Sequence, residues 1–225
     1  MAYPQSLVAL IAAVFLASPG ARAETLRDEL PPLVVRVYDL GGTDSAGLAD
    51  ALRDAQAIFA DAGIASNWHD CTLGARSSSP FCRERRRPTD LIVRIVRRPE
   101  MDGLSKALGA SVVEPAVRGG VLATVFLDHV ESVARRTGAE AGVLIGRAIA
   151  HEVGHLLLGT GEHSASGLMR EIWTDRELVS SNPRDWLFEP SEGALLRHAS
   201  RRVDKLVPAP PAPPGIELTE DTSAR

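Results

Sequence analysis

The chain has 225 residues, 44% of them hydrophobic, and a formal net charge of −4. That length supports one sizeable core and is too short for two comfortable catalytic domains. Its mild acidity offers nothing to phosphate backbones or anionic lipid, so neither nucleic acid nor a charged membrane surface is an expected partner.

The N-terminus carries an apolar run from Leu7 to Ala17, a Pro19-Gly20 break and then Ala21-Arg22-Ala23, the small-x-small pattern cut by signal peptidase. Cleavage is expected between Ala23 and Glu24. This makes residues 1–23 a signal peptide and the mature protein secreted or periplasmic. The run is shorter than the roughly 20 residues needed to cross a bilayer, so no stable membrane anchor is expected after cleavage.

Residues 24–205 are expected to form one domain. LVVRVYDL (33–40) is β-branched and alternating, and GGTDS behind it reads as a turn and a helix cap. From Ala46 to Ala62 the apolar residues Leu48, Leu52, Ala55, Ile58 and Phe59 recur at helical spacing, with Gly63 as the stop. Ile64 to Trp68 resembles a short strand leading to Cys71. Cys71 and Cys82, the only cysteines, flank a Gly/Ser/Pro-rich loop. In an oxidising compartment they read as one disulfide, and no CxxC metal or redox spacing is present. The basic run Arg83–Arg87 is interrupted by Glu84 and has only Phe81 for stacking, so it reads as a solvated loop.

LIVRIVRR (91–98) is a strand ended by Pro99, residues 101–120 are glycine-rich and loop-like, and VLATVFLDHV (121–130) is another strand. Thr137-Gly138-Ala139-Glu140 fits a capping box. It opens an almost wholly apolar, hence central, helix that ends at Gly159. An irregular stretch with Trp173 and Trp186 follows, then an amphipathic helix from Ser191 to Lys205. The Pro-rich residues 206–225 cannot bury apolar area and are expected to be a disordered tail.

The chemistry sits in AHEVGHLLLGTGEHSASGLM, residues 150–169. His151 and His155 stand four apart, so on a helix they share one face with Cβ atoms about 5–6 Å apart. That spacing lets two imidazoles grip one Zn2+ ion. Glu152, one step round, projects beside the metal without ligating it, where it can take a proton from metal-bound water. The alternative makes them polar members of a core helix, but two rings and a carboxylate on an apolar helix are costly to bury without a partner. Gly159 lets the chain leave the helix and His163 swing back as a third ligand, while Met169 follows a Ser166-Gly167 turn that passes beneath the metal. Three protein ligands leave one position open, as in a catalytic rather than a structural site.

At His151, Glu152, His155, Gly159, His163 and Met169 the chain resembles the metzincin clan of zinc metallopeptidases. The clan's pattern is H-E-x-x-H-x-x-G-x-x-H followed by a Met-turn. Here one extra residue precedes the glycine and one follows it, giving H-E-V-G-H-L-L-L-G-T-G-E-H. The resemblance implies an α+β, zincin-like fold, a twisted mixed sheet packed on a central zinc-binding helix. The sheet's antiparallel edge strand, by position Val121 to Leu127, would hold the substrate backbone. The implied activity is that of a zinc metalloendopeptidase acting on a peptide or protein substrate. Zn2+ would be its cofactor, Glu152 its general base and Met169 the support beneath the site.

Two further readings stay open. In the gluzincin pattern a later glutamate is the third ligand, and Glu171 with Asp175 offers an E-x-x-x-D spacing. In the other, the chain is a non-hydrolytic, zinc-binding exported protein, against which the intact Glu152 argues. A serine or cysteine hydrolase has no support, since neither G-x-S-x-G nor an unpaired cysteine is present. No tyrosine follows Tyr38 to stabilise an oxyanion. Arg170 is a conceivable substitute, though a solvated arginine is the expected reading. His69, His129 and His198 are expected at the surface or at strand ends, with His129, at the end of the proposed edge strand, the best placed for a substrate role.

Overall fold

The structure, a computed structural model, describes residues 31–74, 79–97, 107–114, 119–180 and 182–205. The expected signal peptide (1–23) and Pro-rich tail (206–225) lie outside the described residues. Five strands form one sheet: β1 (Leu33–Asp39), β2 (Ser66–Asp70), β3 (Leu91–Val96), β4 (Gly109–Glu114) and β5 (Gly119–Phe126), in the order β2-β1-β3-β5-β4. The first four in that order are mutually parallel, and β4 joins β5 antiparallel as an edge strand. This is the α+β fold with a twisted mixed sheet on a central helix that the motif region implied.

Alternation explains the strands. Val35 and Val37 of β1, Val93 and Ile95 of β3, and Ala123 and Val125 of β5 are buried on the face that meets the helices. Parallel neighbours need a crossover, and β1 reaches β2 through α1 (Ser45–Asp61), capped by Asp44 accepting from the Ala46 and Gly47 amides. α1 packs closely on α3 (Ala141–Leu158) because α3 presents glycine there. A Cβ at Gly146 would lie 2.6 Å from the Ala51 carbonyl oxygen, so any larger residue forces the helices apart. α3 is buried along most of its length. Its apolarity matches that of a membrane span but serves the core of this domain.

On the other face of β1, Arg36 is buried against Asp90 at 2.9 Å and donates to the Phe81 and Glu84 carbonyls. It thereby ties down the loop between β2 and β3, where Cys71 and Cys82 stand at bridging geometry with Cα atoms 5.4 Å apart.

The chain departs from the sequence expectations in three places. The edge strand is β4, inside the segment read as loop, whereas Val121 to Phe126 belong to β5, an interior strand with β3 on one side and β4 on the other. β4's glycine-rich flanks hide its alternation, and its existence depends on pairing with β5. The segment read as strand to Val130 instead turns helical at Leu127. α2 (Leu127–Thr137) buries Leu127, Val130 and Ala134, one face of a helix, and stops at Gly138 in the left-handed region (φ 79°). The capping box at Thr137–Glu140 does not form. Thr137 closes α2 by donating to the Val133 carbonyl, and α3 begins after Glu140 without a side-chain cap. The irregular stretch contains a single-turn helix, α4 (Asp175–Leu178), before α5 (Pro190–Lys205) packs on α3.

Candidate metal centre

α3 carries His151, Glu152 and His155 into the interior, all three buried. His151 Nδ1 lies 2.9 Å from the Leu168 carbonyl oxygen and His155 Nδ1 2.8 Å from that of Thr160. A carbonyl only accepts, so both Nδ1 atoms carry the proton and both Nε2 atoms keep a bare lone pair. Those Nε2 atoms face each other at 3.0 Å. Two lone pairs at that distance repel unless a cation lies between them. A proton is a poor candidate, because burial depresses the His151 imidazole to about 4 and lowers that of His155 as well. A metal ion resolves the conflict, and the two carbonyls fix the ligating tautomer.

α3 ends at Gly159, whose left-handed backbone (φ 69°) and N–H bond to the His155 carbonyl turn the chain back. His163 follows, exposed, with its ring centroid 5.4 Å from His151 and 4.9 Å from His155. One nitrogen from each of the three rings lies within 4.8 Å of the others. Three neutral imidazoles suit Zn2+. Met169 is buried against α3: a Cβ on Gly154, between the two α3 histidines in sequence, would stand 2.7 Å from the Met169 sulfur. The glycine in H-E-V-G-H is what lets the thioether approach. Trp173 borders His151 at 5.6 Å and donates to the same Leu168 carbonyl that orients it.

Glu152 faces β4. Burial raises its carboxyl to about 7, partly offset by Ser111, whose hydroxyl donates to Glu152 Oε2 at 2.6 Å. Gly109, two residues earlier on the same strand face, approaches so closely that an added Cβ would lie 2.6 Å from Glu152 Oε1. Sequence reasoning missed both residues because it missed the strand. Their i, i+2 spacing is the signal that a strand assignment would have exposed. A cleft of about 780 Å³ opens above the histidines and Glu152, walled by β4 and by Ile172 and Trp173.

The remaining candidates fall elsewhere. Glu171 is exposed on the cleft wall and outside the three-nitrogen cluster, while Asp175 pairs with Arg136 at 2.8 Å. The expectation of a solvated Arg170 is corrected. It is 9% exposed, with Nη1 3.2 Å from Glu177 and Nη2 donating to the Asp185 carbonyl. His129 lies in the first turn of α2, its Nδ1 2.9 Å from the Ala107 carbonyl, instead of at a strand end. His69, in β2, stacks on Phe81, and His198 is exposed on α5.

No family model and no curated protein matches the chain. Among solved structures it is similar to archaemetzincin from Methanopyrus kandleri, with a TM-score of 0.51 and 14% identity over 76% of this chain and 97% of that one. A zinc-dependent peptidase from Methanocorpusculum labreanum aligns with a TM-score of 0.49 and 13% identity, covering 72% of this chain and 99% of that one. At 14% identity the first likeness speaks for the fold alone.

Proposed function

We propose that the chain is an exported zinc-dependent metallopeptidase in which His151, His155 and His163 hold the ion and Glu152 is the general base. The observation that carries this reading is the pair of Nε2 lone pairs facing each other at 3.0 Å with both Nδ1 protons committed to carbonyls, next to a buried carboxylate in an open cleft. The first solved structure it resembles is an archaemetzincin, which agrees with a peptidase reading, and the N-terminal pattern ending at Ala23 favours export.

A bound zinc would supply Lewis acidity, acidifying a water molecule and polarising the scissile carbonyl. The chain's own residues do the rest. Ser111 holds Glu152 Oε2, leaving Oε1 to accept the water's proton and pass it to the leaving amine. β4, the edge strand of the sheet among the described residues and beside Glu152, offers main-chain groups to an extended peptide, which suits cleavage within a chain. Met169 packs against α3 and Trp173 borders His151.

The purified mature protein should contain about one zinc per chain and lose it to chelators. Glu152→Gln should keep the metal and lose peptide hydrolysis by roughly 10²- to 10⁴-fold. Equal cleavage by mutant and parent, product by product, would remove Glu152 as the base, whereas zinc bound with no cleavage by the parent would leave a non-hydrolytic zinc protein as the surviving reading.

A further inference from the structure

His163 differs from the other two ring residues of the cluster. The carbonyls of Leu168 and Thr160 orient His151 and His155, whereas the His163 ring makes no hydrogen bond among the described residues and is exposed. Its position therefore depends on its backbone, and the next residue is where that backbone is held. Ser164 Oγ donates to Glu192 Oε1, and the Ser164 amide donates to the Met169 carbonyl at 2.9 Å.

Glu192 lies in the first turn of α5 and is 7% exposed. Its other oxygen accepts from the Glu189 amide at 2.7 Å, and no cation pairs with it among the described residues. Glu192 is the third residue of α5, where its bond to the Glu189 amide is the reach-back half of a capping box and the helix N-terminus supports its charge, so the helix fixes the carboxylate and presents its second oxygen to Ser164. α5 packs on α3, the helix carrying the other two histidines. The Glu192–Ser164 bond thus joins the His163 loop to the same rigid frame. Nearby, Ser166 donates to Glu189 and the Leu168 amide to the Leu187 carbonyl, so the attachment continues along the loop.

We propose that Glu192 is the positioning residue for His163, acting through Ser164 as a latch that sets metal affinity. The proposal rests on His163 being the third ligand. Outer partners of metal ligands commonly contribute 10- to 100-fold in affinity, and here the partner acts on the ligand's backbone because its ring has none.

The test uses the full mature chain, with zinc affinity measured by chelator competition and the site read separately by the cobalt(II) absorption spectrum. Ser164→Ala, which removes only a hydroxyl, should weaken zinc binding about 10- to 100-fold and shift the cobalt spectrum toward that of His163→Ala, with the melting temperature of the metal-free protein unchanged. Glu192→Ala should do the same. Glu192→Gln can accept from the Glu189 amide with its oxygen and donate its NH2 to Ser164 Oγ, and should remain within a few-fold of the parent. If Glu192→Ala does not fold, Ser164→Ala decides alone. Parent-like zinc affinity in Ser164→Ala, with His163→Ala losing the metal, overturns the latch and leaves the ligand assignment standing. Parent-like affinity in His163→Ala removes the ligand assignment, and the latch with it.

Discussion

Gly109 is where a single hydrogen-to-methyl change has the clearest consequence. The atoms that an added Cβ would meet are Cγ, Cδ and Oε1 of Glu152, all within 2.8 Å. These belong to a side chain that can rotate away, so the backbone need not move and the stability cost stays small. The carboxylate, however, leaves its place over the cleft, and misplacing a catalytic group by about 1 Å can cost 10²-fold. Gly109→Ala is therefore expected to keep its zinc and its melting temperature while kcat/KM for peptide hydrolysis falls about 10²-fold. An alanine variant with parental turnover would show that Glu152 tolerates displacement and weaken its assignment as base.

At the scale of elements, legibility followed the range of the interactions. The spacing of His151, Glu152, His155 and Gly159 is local to one helix, and the structure places them as that spacing implied. β4 was illegible because Gly109–Glu114 becomes a strand only by pairing with β5, and glycines interrupt the β-branched pattern on both sides. The β5–α2 boundary was also hidden. Phe126 and Leu127 continue the apolar run without punctuation, and the N-cap, Phe126, has no side-chain oxygen with which to cap the helix. Arg170 could not be read as buried, since its partners Glu177 and Asp185 lie on later turns.

The loop carrying Cys71 and Cys82 is the element whose prediction stands apart from the metal site. Closing a segment of 11 residues' separation contributes about 3 kcal/mol by the chain-entropy estimate, and Arg36 already holds the loop through the Phe81 and Glu84 carbonyls. Protein produced in an oxidising compartment should show no free thiol when denatured, and replacing both cysteines with alanine should lower its urea midpoint by an amount corresponding to that energy. Two titratable thiols in protein so produced would contradict the bridge.

For the molecule as a whole, the ion joins two parts of unequal self-sufficiency. The sheet and α3 share an apolar core that includes Val35, Val93, Ile95, Ile149 and Val153, and nothing in it requires a metal. Between Gly159 and Leu168 the chain leaves that core, residues 160–166 being exposed or half-buried, and is held by single hydrogen bonds such as the Ser164 amide to Met169 and the Leu168 amide to Leu187; it rejoins the core at Leu168 and Met169, which with Leu178, Trp186 and Phe188 belong to it. Zinc bound at His151, His155 and His163 would pin that segment to α3. With free zinc at about 100 times its dissociation constant, binding adds about 2.7 kcal/mol, so chelation should lower the melting temperature by about 5–10 °C for a domain of this size. The loss should be uneven. Hydrogen exchange at the Ser164 and Leu168 amides should accelerate well beyond that at the β1 and β3 amides, which open only with the global transition. A chelated protein whose exchange rises by the same factor everywhere would show that the ion stabilises the fold as a whole, and the picture of a locally pinned third-ligand segment would fail.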